Sequence, residues 1–233
     1  MTSNAPESPS PEDKAAAARE AAEAIDAAAH ADGNGGRKRP KPGERRVQIL
    51  EALATMLQQP GAERITTAAL AAKLEVSEAA LYRHFASKAQ MFEGLIEFIE
   101  QSVFGLINQL GEREADANVR SRKLVTLLLQ FGEKNPGMTR VMVGDALVFE
   151  NERLQQRMNL FFDKIEAALR QNLRETSLVA GAATPTVDAQ ADASVITAFC
   201  VGRLQRFARS GFKRSPSESL EHSLALLLPI VRH

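Results

Sequence analysis

Tryptophan is absent from this 233-residue chain, tyrosine and cysteine occur once each, and histidine occurs four times. The single Cys200 excludes an intrachain disulfide and, in an apolar stretch, reads as a buried thiol in a reducing compartment. His30, His84, His222 and His233 are too scattered to offer the helical His/Glu spacing or Cys/His cluster that a catalytic metal needs. Neither a Gly-rich phosphate loop after a strand nor a G-x-S-x-G turn occurs. The carboxylate pairs Glu97/Glu100 and Glu150/Glu152 fall on helix surface, where charge serves solvation. The chain is therefore expected not to be an enzyme and to carry no metal or cofactor. No apolar run approaches the roughly 18 to 20 residues that span a bilayer, and the N-terminus has no apolar signal region, so a cytoplasmic protein is expected. Strand-like alternation and internal repeats are also missing, which leaves an all-α fold.

An apolar fraction of 44% suffices for one substantial core plus a small extra domain. Net charge is zero but unevenly spread: residues 1–36 carry seven acidic and two basic side chains, residues 37–88 five acidic and ten basic. A positive block of this kind suits phosphate binding.

That block holds the most informative stretch, Thr66–Lys88, TTAALAAKLEVSEAALYRHFASK. Thr66 and Ser77 stand where hydroxyls cap helices. Ile65/Leu70 and Val76/Leu81 are spaced as hydrophobic staples, and Ser87 through Gln90 matches a capping box. Three helix starts in so short a span predict a helix-turn-helix leading into a third helix. Its second helix exposes Ala79 and Ala80, small enough to enter a major groove, with donors at Tyr82 and Arg83. Glu75 occupies the turn position that glycine usually fills, so positive φ and some strain are expected there.

Met1–Gly36 is rich in Ala, Pro, Ser and Gly and predicts disorder, with a transient helix over Pro11–Ala31. Arg37–Arg46 reads as a basic arm, either on DNA phosphates or merely solvated. Helix one is expected over Glu44–Gln58, burying Val47, Leu50, Leu53, Ala54 and Leu57 and ending at Pro60-Gly61. Further helices are expected from Ser87 to about Leu110, over Arg120–Glu133, Met138–Phe149, Glu150–Glu175 and Ala189–Phe212, and from Ser217. Gly111–Asn118 and Thr176–Thr186 read as a loop and a linker. Two apolar helices closing the chain suit a homodimer interface, with Val195, Ile196, Phe199, Cys200, Leu204 and Phe207 on one side of the first.

VSEAALYRHFASK followed by a long helix resembles the DNA-binding domain of TetR-type regulators. LIEFIE (Leu95–Glu100), FGEKNPGMTR (Phe131–Arg140), GDALVFENERLQQRMN (Gly144–Asn159) and AFC (Ala198–Cys200) resemble the nucleoid occlusion factors among them. The resemblance runs from about Glu44 to the C-terminus. It implies a TetR-like organisation: a disordered extension over 1–42, a helix-turn-helix domain over 43–88, and a larger helical dimerisation and partner-binding domain over 89–233. It further implies that Thr66, Thr67, Tyr82 and Lys88 contact phosphates or groove edges, with Ser77, Ala79 and Arg83 near bases of a palindromic duplex. A nucleoid-associated protein that antagonises the division protein FtsZ when DNA-bound is the expected function. Phe98, Leu127, Lys134 and Asn135 are the implied FtsZ-contacting positions. One family arginine on that groove is Leu106 here, and its basic partner is Lys134 instead of arginine, a substitution that changes hydrogen-bond geometry. The alternative is an ordinary TetR-type repressor released from DNA by a small molecule. Against it, the middle helices offer mostly Leu, Val and Phe, few of the polar groups that fix a ligand.

Overall fold

A computed structural model describes residues 43–59 and 65–228. The expectations for Met1–Gly36, the basic arm up to residue 42, Pro60-Gly61 and the last five residues lie outside them. Among the described residues the chain forms nine α-helices and one 3-10 turn, with no strand.

The first three helices are α1 (Glu44–Leu57), α2 (Thr67–Lys73) and α3 (Glu78–Tyr82). They close over Leu53, Leu57, Leu70, Leu81 and Phe85. Ile49, outside the apolar set expected for this helix, is fully buried, whereas Val47 and Leu50 are only half-buried. Thr66 and Ser77 cap α2 and α3 by accepting from the backbone N–H groups of Ala69 and Ala80. Glu75 between them takes φ 52°, as its place in the turn predicts.

Helix α4 (Lys88–Arg113) leads away from these three into the body. Ser87 accepts from the N–H of Gln90, and the Gln90 amide oxygen accepts from Ala86 N–H at 2.8 Å, one residue earlier than an ordinary capping box. The loop expected over Gly111–Asn118 shrinks to three residues. Helix α4 continues to Arg113, and Asp116 caps α5 (Ala117–Lys134) by accepting from Asn118 and Val119 N–H. Asn135 ends α5 and starts α6 (Pro136–Met142) with proline at the first helical position, where its missing N–H costs nothing. The helix expected over Met138–Phe149 is broken at Gly144, φ 79°, into α6 and a 3-10 turn at Asp145–Leu147.

The linker expected over Thr176–Thr186 shrinks to residues 180–184. Helix α7 (Glu152–Val179) extends four residues into it before Gly181 adopts φ 72°, and α8 (Pro185–Arg209) begins with another N-terminal proline. The aperiodic composition of Leu178–Ala183 hides a helix end that Thr176 secures, its hydroxyl donating to Asn172 O. Helix α9 (Leu220–Leu227) starts three residues later than expected, after an irregular turn with Ser219 at φ 52°. On α8, Val195 points outward and is 58% exposed, apart from buried Ile196, Cys200, Leu204 and Phe207.

Ion pairs fix the helix directions. Arg153 to Glu93 (2.6 Å) and Arg157 to Glu100 tie the start of α7 to the first half of α4, and Arg120 bonds Glu175 and Asn172 at the opposite end. Helices α5 and α8 therefore run back toward the first three helices. The corner between α5 and α6 meets both neighbours closely. A Cβ on Gly137 would lie 2.0 Å from Ala54 O, and one on Gly132 would lie 2.3 Å from Leu204 Cδ2. Buried Arg140 pairs with Asp145 at 2.6 Å and reaches the carbonyls of Leu57 and Gln59 at 3.4 and 3.5 Å, closing the exposed end of α1.

Candidate nucleic-acid interface and partner groove

The helix-turn-helix presents its expected residues unequally. Ala79 and Tyr82 are exposed on α3 and Arg83 at its C-cap, and neither Arg83 nor Lys73 on α2 has an ion-pair partner among the described residues. Thr66 and Ser77 are exposed but direct their oxygens at helix N–H groups, so each hydroxyl has only its own proton left to donate. The Thr67 hydroxyl donates to Glu78 at 2.6 Å, linking the first turns of α2 and α3. Arg46 donates to His84 O and stacks 4.1 Å from the Phe85 ring centre, which locks α1 to the end of α3. His84 is thereby a half-buried part of the scaffold on its backbone side.

Lys88 is held rather than free. Its ammonium pairs with Glu150, and the side chain lies 5.7 Å from the Phe92 ring centre. Nothing in the sequence connects these two residues: 62 positions separate them and no local pattern signals such a pair. Arg46 and Arg140 are invisible to local patterns for the same reason, since each acts on a carbonyl distant in sequence.

A second site lies on the body. An open groove of about 670 Å³ between α4, α5 and α9 gathers Leu106, Leu127, Phe131, Lys134 and Asn135, with Arg122 and Lys123 along the same wall. Three of the four expected partner residues thus line one groove. Phe98 is not among its lining residues and sits half-buried against the core on α4. Asn135 also has a local duty, its amide donating to Phe131 O at 2.8 Å. Arg122, which no sequence motif marks, donates to the carbonyls of Leu224 and Leu228 at 3.1 and 2.9 Å and so fastens the end of α9 to the groove.

Among the described residues no group of His, Cys, Asp or Glu could hold a metal ion, and no helix is long and apolar enough to cross a membrane.

Residues 49–95 match the model of bacterial regulatory proteins of the tetR family, and residues 115–231 match a tetracyclin repressor-like C-terminal domain of the SlmA-like type. The nucleoid occlusion factor SlmA of Aliivibrio fischeri (strain MJ11) is 51% identical over 193 residues, covering 81% of this chain and 96% of that protein. This chain belongs to the SlmA family of nucleoid occlusion factors. The SlmA of Escherichia coli O9:H4 is 53% identical over 76% of this chain and 89% of its own, and that of Vibrio cholerae 52% over 78% and 93%. Family membership makes this a DNA-binding protein of the TetR type and not an enzyme. Solved TetR-type structures share the fold at low identity. The fatty acid degradation regulator FadR of Bacillus halodurans superposes with a TM-score of 0.65 at 17% identity, over 83% of this chain and all of that one. A Bacillus subtilis FadR solved with stearoyl-CoA gives 0.62 at 16%, over 79% and 98%.

Proposed function

We propose that this SlmA-family protein is a homodimer that binds palindromic chromosomal sites and, when DNA-bound, antagonises FtsZ assembly over the nucleoid. The observation that carries the reading is the pairing in one chain of an exposed reader helix with a groove that collects Leu127, Lys134 and Asn135. The α6 corner joins them: Asn135 starts α6, and Gly137 near its first turn rests against Ala54 of α1. Lys134, exposed at the end of α5, offers a cation to an acidic peptide, beside apolar walls from Leu127 and Phe131. Thr66, Thr67, Tyr82 and Lys88 serve as phosphate or groove-edge contacts, with Ser77, Ala79 and Arg83 toward the bases. Leu160, Val195 and Leu226, each more than half exposed on α7, α8 and α9, supply the apolar surface of the dimer. Twofold symmetry then predicts half-sites roughly 34–36 Å apart. Nucleoid association follows from the DNA sites.

The test is GTP-dependent FtsZ sedimentation with this protein, with and without a duplex that the protein itself selects from random DNA. Loss of FtsZ polymer only with the selected duplex is the expected result. Intact polymer in both arms, with DNA binding retained, would reject the FtsZ role and return the protein to inducer-controlled repressors.

A further inference from the structure

The turn between α8 and α9 carries a concentrated run of positive charge. Arg206, Arg209, Lys213 and Arg214 lie within nine residues, all are exposed, and none has an ion-pair partner among the described residues. No acidic side chain occurs between Arg203 and Ser217 in the sequence, and the turn's own carboxylate, the exposed Glu218, forms no ion pair with these four cations. The carboxylate that reaches the turn from elsewhere, Glu133 at the end of α5, accepts a hydrogen bond from Ser215. Arg206 and Arg209, in the last turn of α8, complement the negative end of the helix dipole. Lys213 and Arg214 lie beyond the helix, where the dipole does not account for them.

The turn is braced rather than loose. Ser210 Oγ accepts from the N–H groups of both Lys213 and Arg214, at 3.1 and 3.0 Å, and donates to Phe207 O. Gly211 and Phe212 both take left-handed conformations, φ 61° and 64°, and the Phe212 ring packs edge-on against Phe207 at 5.2 Å. A phenylalanine in that region is strained and persists only because its surroundings hold it there. The effect of the brace is to turn the one large apolar side chain inward and leave cations outside.

The location is equally specific. The Ser215 to Glu133 bond and the close approach of Leu204 to Gly132 set the turn at the end of the body where α6 rests on α1. It is the end that carries the helix-turn-helix.

We propose that this turn is a second phosphate-binding surface for duplex DNA, engaging backbone outside the segments read by α3. Its chemistry selects the ligand. A protein partner is recognised through buried aromatic or aliphatic anchors with charge at the rim, and this surface offers charge without such an anchor. A polyanion recognised by charge alone is what four unpaired cations fit, and a duplex already lies at this end of the molecule. In a dimer built on α8 and α9 the two turns come together beside the twofold axis, over the DNA between the half-sites. The proposal rests on the DNA-bound dimer proposed above.

The experiment compares wild-type protein with the K213Q/R214Q variant on one selected duplex, following affinity from low to high salt. Each phosphate contact removed lowers the slope of log K against log salt by about 0.9, so two per protomer reduce a dimer's slope by about 3.6 while half-site preference stays the same. Sedimentation of the variant at the wild-type mass shows that fold and assembly survive. An unchanged slope in a correctly assembled variant overturns the proposal. Anionic phospholipid vesicles form a third arm: loss of vesicle binding with an unchanged DNA slope overturns it in favour of a lipid surface. Failure of the wild-type protein to bind any duplex would refute the proposed function itself, a result distinct from these.

Discussion

Lys88, the first residue of α4, forms an ion pair with Glu150, which closes the segment between the 3-10 turn and α7. The carboxylate side chain is 11% exposed and the lysine 26%, so the pair is shielded on the glutamate side and open on the lysine side. A DNA phosphate that takes up Lys88 competes with Glu150 for the ammonium. Capture of Lys88 by a phosphate would thereby link docking of the duplex to the position of the turn ahead of α7.

Replacing Glu150 by Gln removes the competitor while keeping the shape. A partly exposed pair is worth up to about 1 kcal/mol, so duplex affinity should rise by as much as about fivefold at low salt. Fluorescence anisotropy on the selected duplex measures it, and weaker binding by Glu150→Gln would contradict competition.

Lys88→Ala should weaken binding uniformly across sequences and make the salt slope shallower by about 0.9 for each phosphate interaction removed. An effect confined to one base position, seen by repeating the selection with the variant, would assign Lys88 to base reading instead.

Gly137 touches α1 through its backbone, with no room for a side chain. Gly137→Ala must push α6 from Ala54 and should destabilise the protein by about 1–3 kcal/mol, the usual cost of overpacking. Urea unfolding followed by circular dichroism reads this as a lower midpoint. An unshifted midpoint would mean that α1 and α6 separate freely.

Ser77 and Thr66 each cap a short helix with one hydrogen bond. Ser77→Ala and Thr66→Ala should each cost about 1 kcal/mol, measurable in the same unfolding assay. Seven-residue α2 and five-residue α3 have few other internal restraints.

Burial pushes the Cys200 thiol up to about 12. The folded state keeps this thiol protonated, whereas an unfolded chain releases its proton near pH 8.5. The resulting contribution to stability is complete below that value and is lost as pH rises toward 12. A thiol reagent at about pH 8 should leave the native protein unlabelled and label one site per chain after denaturation. Rapid labelling of the native protein would show that α8 opens readily.

Legibility in the sequence follows distance along the chain. The caps at Thr66, Ser77 and Ser87, the left-handed Glu75 and the helical periodicity of α4, α5 and α7 are set by residues a few positions apart, and each appears in the structure. Asp116 and Asn151 carry cap signals of the same kind, the first masked by polar neighbours that read as loop. Thr176–Thr186 reads as a linker because its local composition outweighs the packing that carries α7 onward. Residues named for the groove lie together except Phe98, while Glu150, Arg122 and Arg140, which bind across 62, 102 and 83 positions, leave no trace in any window. Glu150 in particular shows why the reader's chemistry is only half readable: sequence exposes the cation and conceals what restrains it.

The close backbone approach at Gly137 has a mechanical consequence. Side-chain contacts between helices yield by changing rotamer, and a displacement on one side fades before reaching the other. Where a glycine rests directly on a neighbouring helix there is no rotamer to absorb the movement. A displacement of the α5–α6 corner would therefore pass to α1 through Gly137, and on to the reader helix that Arg46 locks to α1.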